Sequence, residues 1–150
     1  MTTYRLLVTL HLLGATVWVG GHLVLCLSVL PRALRSRDPR IVREFESGFE
    51  RLGIPALLLQ VVTGLWLATY WVPNVAEWVW PTTPQARLVL LKLALLATTV
   101  ALAVHARFRV LPGLDAATLR VLAYHIVAVT LVGLGMLVVG VAIRTGAAIA

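Results

Sequence analysis

Four histidines, one lysine and one internal methionine stand inside the long apolar runs of this 150-residue chain. Neutral imidazole and thioether are ligands for haem iron and for copper, and a membrane helix rarely holds an ionisable group without a task. His11 and His22 belong to the run Leu10 to Leu30. Their eleven-residue spacing is three turns plus roughly 20° of a helix, so both imidazoles leave it on nearly one side, about 16 Å apart along the axis. Ala15 and Trp18 share that side, Cys26 is slightly off it, and Gly14, Gly20 and Gly21 thin the helix nearby. His125 and Met136 repeat the same spacing further on.

Depth sorts these residues. His22, eight residues before Leu30, lies about 12 Å in from the far end of its helix. His125 lies at a similar depth in the last run, and His105 near the end of the third. Three histidines from three helices therefore gather in one half, with His11 alone in the other. A b-type haem needs two imidazoles at one depth on facing helices of a bundle. His22 with His125 meets that condition best, and His105 is the substitute for either. Gly20, Gly21 and Ala123 would make room for a porphyrin, and Arg107, Arg109 and Arg120 would meet its propionates at the water edge. Met136 should sit near the depth of His11, which sets up an outer site of His11 and Met136 for copper or a second haem. The structural alternative for each histidine is an interhelical hydrogen bond to a threonine, or a reach toward headgroups. Met136 has packing as its alternative role. Lys92, the sole lysine, either snorkels to the near surface or serves as counter-ion or ligand. It lies about 140° around the third helix from His105, so an undistorted helix cannot aim both at the bundle axis.

The elements that must position these groups are transmembrane helices. The chain is 60% hydrophobic and only 13% charged, with a mean hydropathy of +0.93, too apolar for a soluble domain. Four apolar segments, about 6–30, 52–72, 88–106 and 119–143, each reach the roughly 20 residues that a spanning helix needs. The pattern predicts one all-α, four-helix membrane domain in up-down-up-down order, with helices over about 4–30, 50–73, 86–108 and 116–144. Pro31 and Pro73 end the first two, the Trp80-Pro81-Thr82-Thr83-Pro84 turn opens the third, Pro112-Gly113 separates the last two, and Asp115 can cap the fourth. The charged stretch from Arg35 to Arg51, with Phe45 and Phe49 at helical spacing, reads as an amphipathic extension of the second helix or as a solvated loop. The Trp-rich loop WVPNVAEWVWP reads as an interfacial belt, or as a docking lip for a quinone or a redox protein.

A net charge of +7 in a soluble chain would suggest nucleic acid, but here the arginines lie between apolar runs, so no nucleic-acid partner is expected. Nine arginines fall on the side away from Met1 and three on the Met1 side. That bias predicts a bacterial-type inner membrane with the basic side cytoplasmic and both termini outside. The single Cys26 excludes an internal disulfide, and no CxxC or CxxCH is present. No cleavable signal is evident. Self-association within the bilayer is compatible with this composition.

The run LHLLGATVWVGGHLVLCLSVLPR resembles the first helix of the HemJ-type membrane protoporphyrinogen oxidases and of the related CopD-type copper-resistance membrane proteins. Those show a His near the start, a Trp followed by a Gly, and a Pro-Arg or similar exit. ARLVLLKLALLATTVALAVHAR resembles the third helix of the HemJ group, with its Lys and later His. The likeness covers four helices in order and length, with His11, Trp18, Gly21 and Lys92 as matching motif positions. It implies a functional pair of His11 and Lys92 with a b-type haem nearby. A His after the Pro-Arg exit is missing, His105 falls about two residues off the pattern, and His22 and His125 lie outside it. A divergent member of that superfamily is therefore implied. No Met or His run typical of copper loading is present, so the CopD likeness is one of fold.

Three functional readings follow. The first is a b-type cytochrome that passes electrons, to or from quinone or a redox protein. The second is an oxidoreductase acting on protoporphyrinogen through His11 and Lys92. The third is a copper-binding or copper-transport protein using His11, Met136 and Cys26. A membrane protein with no cofactor is the plain alternative.

Overall fold

The computed structural model describes residues 2–146, and these are helical with no strand among them. Four helices are long and apolar enough to cross a membrane: α1 (Thr3–Ser36), α2 (Arg40–Trp71), α3 (Pro84–Val110) and α4 (Leu119–Thr145). Their apolar faces point mostly outward, with Leu27, Phe108, Leu58 and Val138 all exposed. A surface of that kind needs lipid around it. The chain is an all-α, multi-pass membrane protein.

Helix α1 runs further than its proline suggests, and α3 widens in the same way where it ends before Pro112. A proline inside a helix lacks an N–H and crowds the carbonyl four residues back. In α1 the turn before Pro31 widens to a π-helix over Leu25–Val29, where the Leu30 N–H reaches back to the Leu25 carbonyl. The backbone then passes Pro31 and continues to Ser36. In α3 the same widening spans Ala106–Val110, with the Leu111 N–H on the Ala106 carbonyl just before Pro112. The helix α2 begins at Arg40, so the charged stretch carrying Phe45 and Phe49 is helical, and Pro55 sits within it without ending it. The start of α4 is later than Asp115 implies. Asp115 instead folds the preceding turn by accepting the N–H groups of Ala117 and Thr118, and the helix opens at Leu119.

Helix α1 lies along α2, and α3 along α4; α1 also meets α4, whereas α2 scarcely touches α3. The two ends of this arrangement differ. At the basic end Leu25, Leu30, Val42, Val110, Leu119, Leu122 and Ile126 close into one buried cluster. Arg43 ties α2 to the α3–α4 turn by donating to the Leu114 carbonyl at 2.7 Å, and Arg107 pairs with Glu50 at 3.2 Å. At the amino-terminal end the buried cluster is small, built on Val72, Ala86, Val89, Val139 and Ile143. The bundle is packed at its basic end and hollow at the other.

Candidate functional site

The hollow end holds a cavity of about 630 Å³ between all four helices, lined by His11, Gln60, Lys92, Met136 and Arg144 among mostly apolar neighbours. Its volume falls within the range of ligand sites.

His11 is oriented from α2. Its Nδ1 lies 3.0 Å from Thr63 Oγ1, and Thr63 is buried. The Thr63 hydroxyl also lies 2.6 Å from the Leu59 carbonyl. A carbonyl only accepts, so the single hydroxyl proton goes to Leu59. Thr63 Oγ1 is therefore left to accept from the His11 Nδ1–H, and the lone pair of the neutral ring sits on Nε2. That tautomer is the one a metal ligand needs, with its second nitrogen held by a protein oxygen. Gly64, the next residue on α2, leaves space for the ring: a Cβ there would stand 3.0 Å from His11 Cε1.

Lys92 reaches the same cavity from α3. Its Nζ sits over Gly140 of α4, where a Cβ would stand 3.0 Å away. Gly140 is four residues after Met136, so Lys92 lies against the face of α4 that carries the thioether. The described ion pairs, Arg40 with Asp38 and Arg107 with Glu50, are both at the basic end. Among the described residues Lys92 and Arg144 have no carboxylate partner, and the cavity is electropositive.

The other histidines are placed differently from one another. His22 turns its Nδ1 to the Trp18 carbonyl at 2.9 Å. Its ring packs on Trp18 at 4.4 Å and on Phe49 at 5.9 Å between centroids. Phe49 fills the notch that Gly21 opens, so a side chain at Gly21 would run into the Phe49 ring. Gly20 faces open space. The bis-imidazole site expected from His22 and His125 is not assembled, because His125 takes His105 as its partner instead. His105 Nδ1 and His125 Nε2 are 2.8 Å apart. Arg107 is engaged by Glu50, while Arg109 and Arg120 are exposed at the same end. Cys26 packs against the basic-end cluster, away from His11 and Met136.

The structure thus brings His11, Lys92 and Met136 to one cavity, His105 and His125 to one pair, and leaves His22 among aromatic rings. Sequence reasoning missed Gln60, Thr63 and Gly64, whose polar and small side chains interrupt the apolar run of α2. It also missed Gly140, which only the approach of Lys92 makes meaningful.

Residues 43–143 match the family model described as copper resistance protein D. No curated protein and no solved structure matches the chain. The matched region takes in Lys92, His105, His125 and Met136, and lies wholly after α1 with its His11 and His22. Because it spans well over half of the residues, this chain belongs to the copper resistance protein D (CopD) family.

Proposed function

We propose that this protein handles copper within the membrane, binding the ion in the outer cavity through His11 Nε2 and the Met136 thioether. The observation that carries this reading is the Thr63-fixed tautomer of His11 in a cavity that Met136 also lines. Imidazole and thioether are both donors that copper accepts, and the thioether favours the monovalent ion. The family description supports copper as the cargo. Lys92 and Arg144 repel a bound cation, which suits an ion held for transfer more than one held for storage. The arginine bias supports a cytoplasmic basic end, so that the cavity takes copper from the opposite side of a bacterial-type inner membrane.

Titration of the full-length protein in detergent with Cu(I), against a chromophoric chelator and without oxygen, tests this. His11→Ala should abolish one copper per chain, and Met136→Leu should weaken it about tenfold or more. Unchanged copper affinity in both variants would overturn the reading.

A second reading is favoured by the two cations in the cavity wall. Lys92 and Arg144 would suit the carboxylates of an apolar tetrapyrrole, and His11 would offer its Nε2 to the iron. This is the haem b reading, with the HemJ-like pair of His11 and Lys92, and with quinone or a redox protein as electron partner. A bound haem would supply one-electron chemistry. The chain's own residues would bind it and orient it. A Soret band in the purified protein that disappears in His11→Ala supports this reading, and its absence after haem supplementation overturns it.

A further inference from the structure

The pair formed by His105 of α3 and His125 of α4 lies at the opposite end from the outer cavity and has no part in it. His125 Nδ1 is 2.9 Å from the Val121 carbonyl. A carbonyl only accepts, so Nδ1 carries the proton and Nε2 of the neutral ring carries the lone pair. His105 Nδ1, 2.8 Å away, therefore donates to it. Two imidazoles from two helices face each other through one shared proton, their planes within 10° and their centroids 4.9 Å apart. His105 is exposed and immediately precedes the π-turn that carries Arg107 and Arg109, which puts the pair at the water edge of the basic end.

We infer that His105 and His125 form a second copper site, a two-imidazole release site on the basic side that takes Cu(I) in place of the shared proton. This rests on the copper-handling reading. An imidazole–metal bond is about 2.0–2.1 Å. The two rings meet end to end, so an ion between them would stand nearly in line with both nitrogens, which would then be about 4 Å apart; the observed 2.8 Å needs to open by about 1.2 Å. Coordination through His105 Nδ1 requires that its proton leave and that Nε2 take one up from water. Both rings stay neutral and copper keeps its oxidation state, so no oxidant or reductant is involved. The described residues hold no cluster of three or more His, Cys, Asp or Glu side chains. His105 is exposed, so the ion's remaining positions would face water or a ligand from an acceptor, as hand-off requires. His22, on its aromatic bed of Trp18 and Phe49, lies between the two ends.

The test is copper stoichiometry of the full-length protein under Cu(I) titration, in wild type and in His105→Phe, His125→Gln and His11→Ala. His105→Phe keeps a planar ring of similar bulk, and His125→Gln keeps a polar group near Val121, so both spare the fold. The inference predicts two coppers in wild type and one in each variant, with the His11-dependent copper retained in His105→Phe and His125→Gln. If those two variants bind as much copper as wild type while His11→Ala loses it all, the release site is wrong and the outer site stands. If copper depends on His105 and His125 but not on His11, the release site stands and the outer site is wrong. Loss of all copper in both His105→Phe and His125→Gln would also overturn a separate release site, and no copper in wild type would overturn both assignments.

Discussion

Thr63 fixes which nitrogen of His11 is available. Its Oγ1 lies 3.0 Å from His11 Nδ1, while its proton is committed to the Leu59 carbonyl. A threonine on α2 thereby sets the chemistry of an imidazole on α1. Thr63→Val keeps the shape and removes the acceptor, so copper affinity should fall by about 10- to 100-fold, while Thr63→Ser should restore most of it. Chelator competition measures this, and equal affinity in Thr63→Val and wild type would contradict the role.

Two glycines separate packing from positioning. A Cβ at Gly14 would stand 2.9 Å from the Ala56 carbonyl oxygen, where backbone must move. Gly14→Ala should cost about 1–3 kcal/mol of stability. A Cβ at Gly140 would meet only the mobile end of Lys92, and alanine favours helix over glycine by up to about 1 kcal/mol. Gly140→Ala should therefore unfold no earlier than wild type while displacing the ammonium from its seat. Thermal unfolding in detergent checks the order, and a Gly140→Ala variant less stable than Gly14→Ala would reverse it.

Asp115 makes the α3–α4 turn sensitive to acid. Its carboxylate accepts the backbone N–H of Thr118, the Thr118 hydroxyl and the Ala117 N–H. The Thr118 backbone hydrogen bond, followed by that of its side chain, holds the Asp115 carboxyl below the ordinary value. A lowered folded value means that the contribution is complete above about pH 4, the unfolded value, and is lost as pH falls through the folded one. The amides of Ala117 and Thr118 should exchange more slowly in wild type than in Asp115→Ala at neutral pH, with the difference shrinking below about pH 4. A difference that does not change with acid would contradict the assignment.

The arginine bias makes a topological prediction. In a Cys26→Ser background, Asn74→Cys in the turn between α2 and α3 should react with a membrane-impermeant thiol reagent added outside intact cells. Asp38→Cys, between α1 and α2, should react only after lysis. The reverse pattern would invert the protein and place the cavity toward the cytoplasm.

The four spans were legible because apolar runs of this length leave the backbone no alternative to helix in a bilayer. Their ends were less so. Pro31 reads as a stop, and only the π-turn at Leu25–Val29 lets the chain pass it. The outer cavity was half legible: depth put His11 level with Met136 and Lys92, and all three line it. Thr63 and Gly140 contribute through interhelical contacts of ångström scale, which periodicity does not encode. Depth misled at the basic end. His22 and His125 lie at comparable depth, but rotation about the helix axes decides partners, and it turns His22 to Phe49 and His125 to His105.

The proposed function requires that one copper ion be held jointly by His11 and Met136. X-ray absorption of the full-length protein loaded with one equivalent of Cu(I), in the His105→Phe background, tests it directly. Joint ligation predicts nitrogen scattering from imidazole together with a sulfur shell, the sulfur vanishing in Met136→Leu and the imidazole pattern in His11→Ala. A spectrum without sulfur, or one that neither substitution changes, would contradict it.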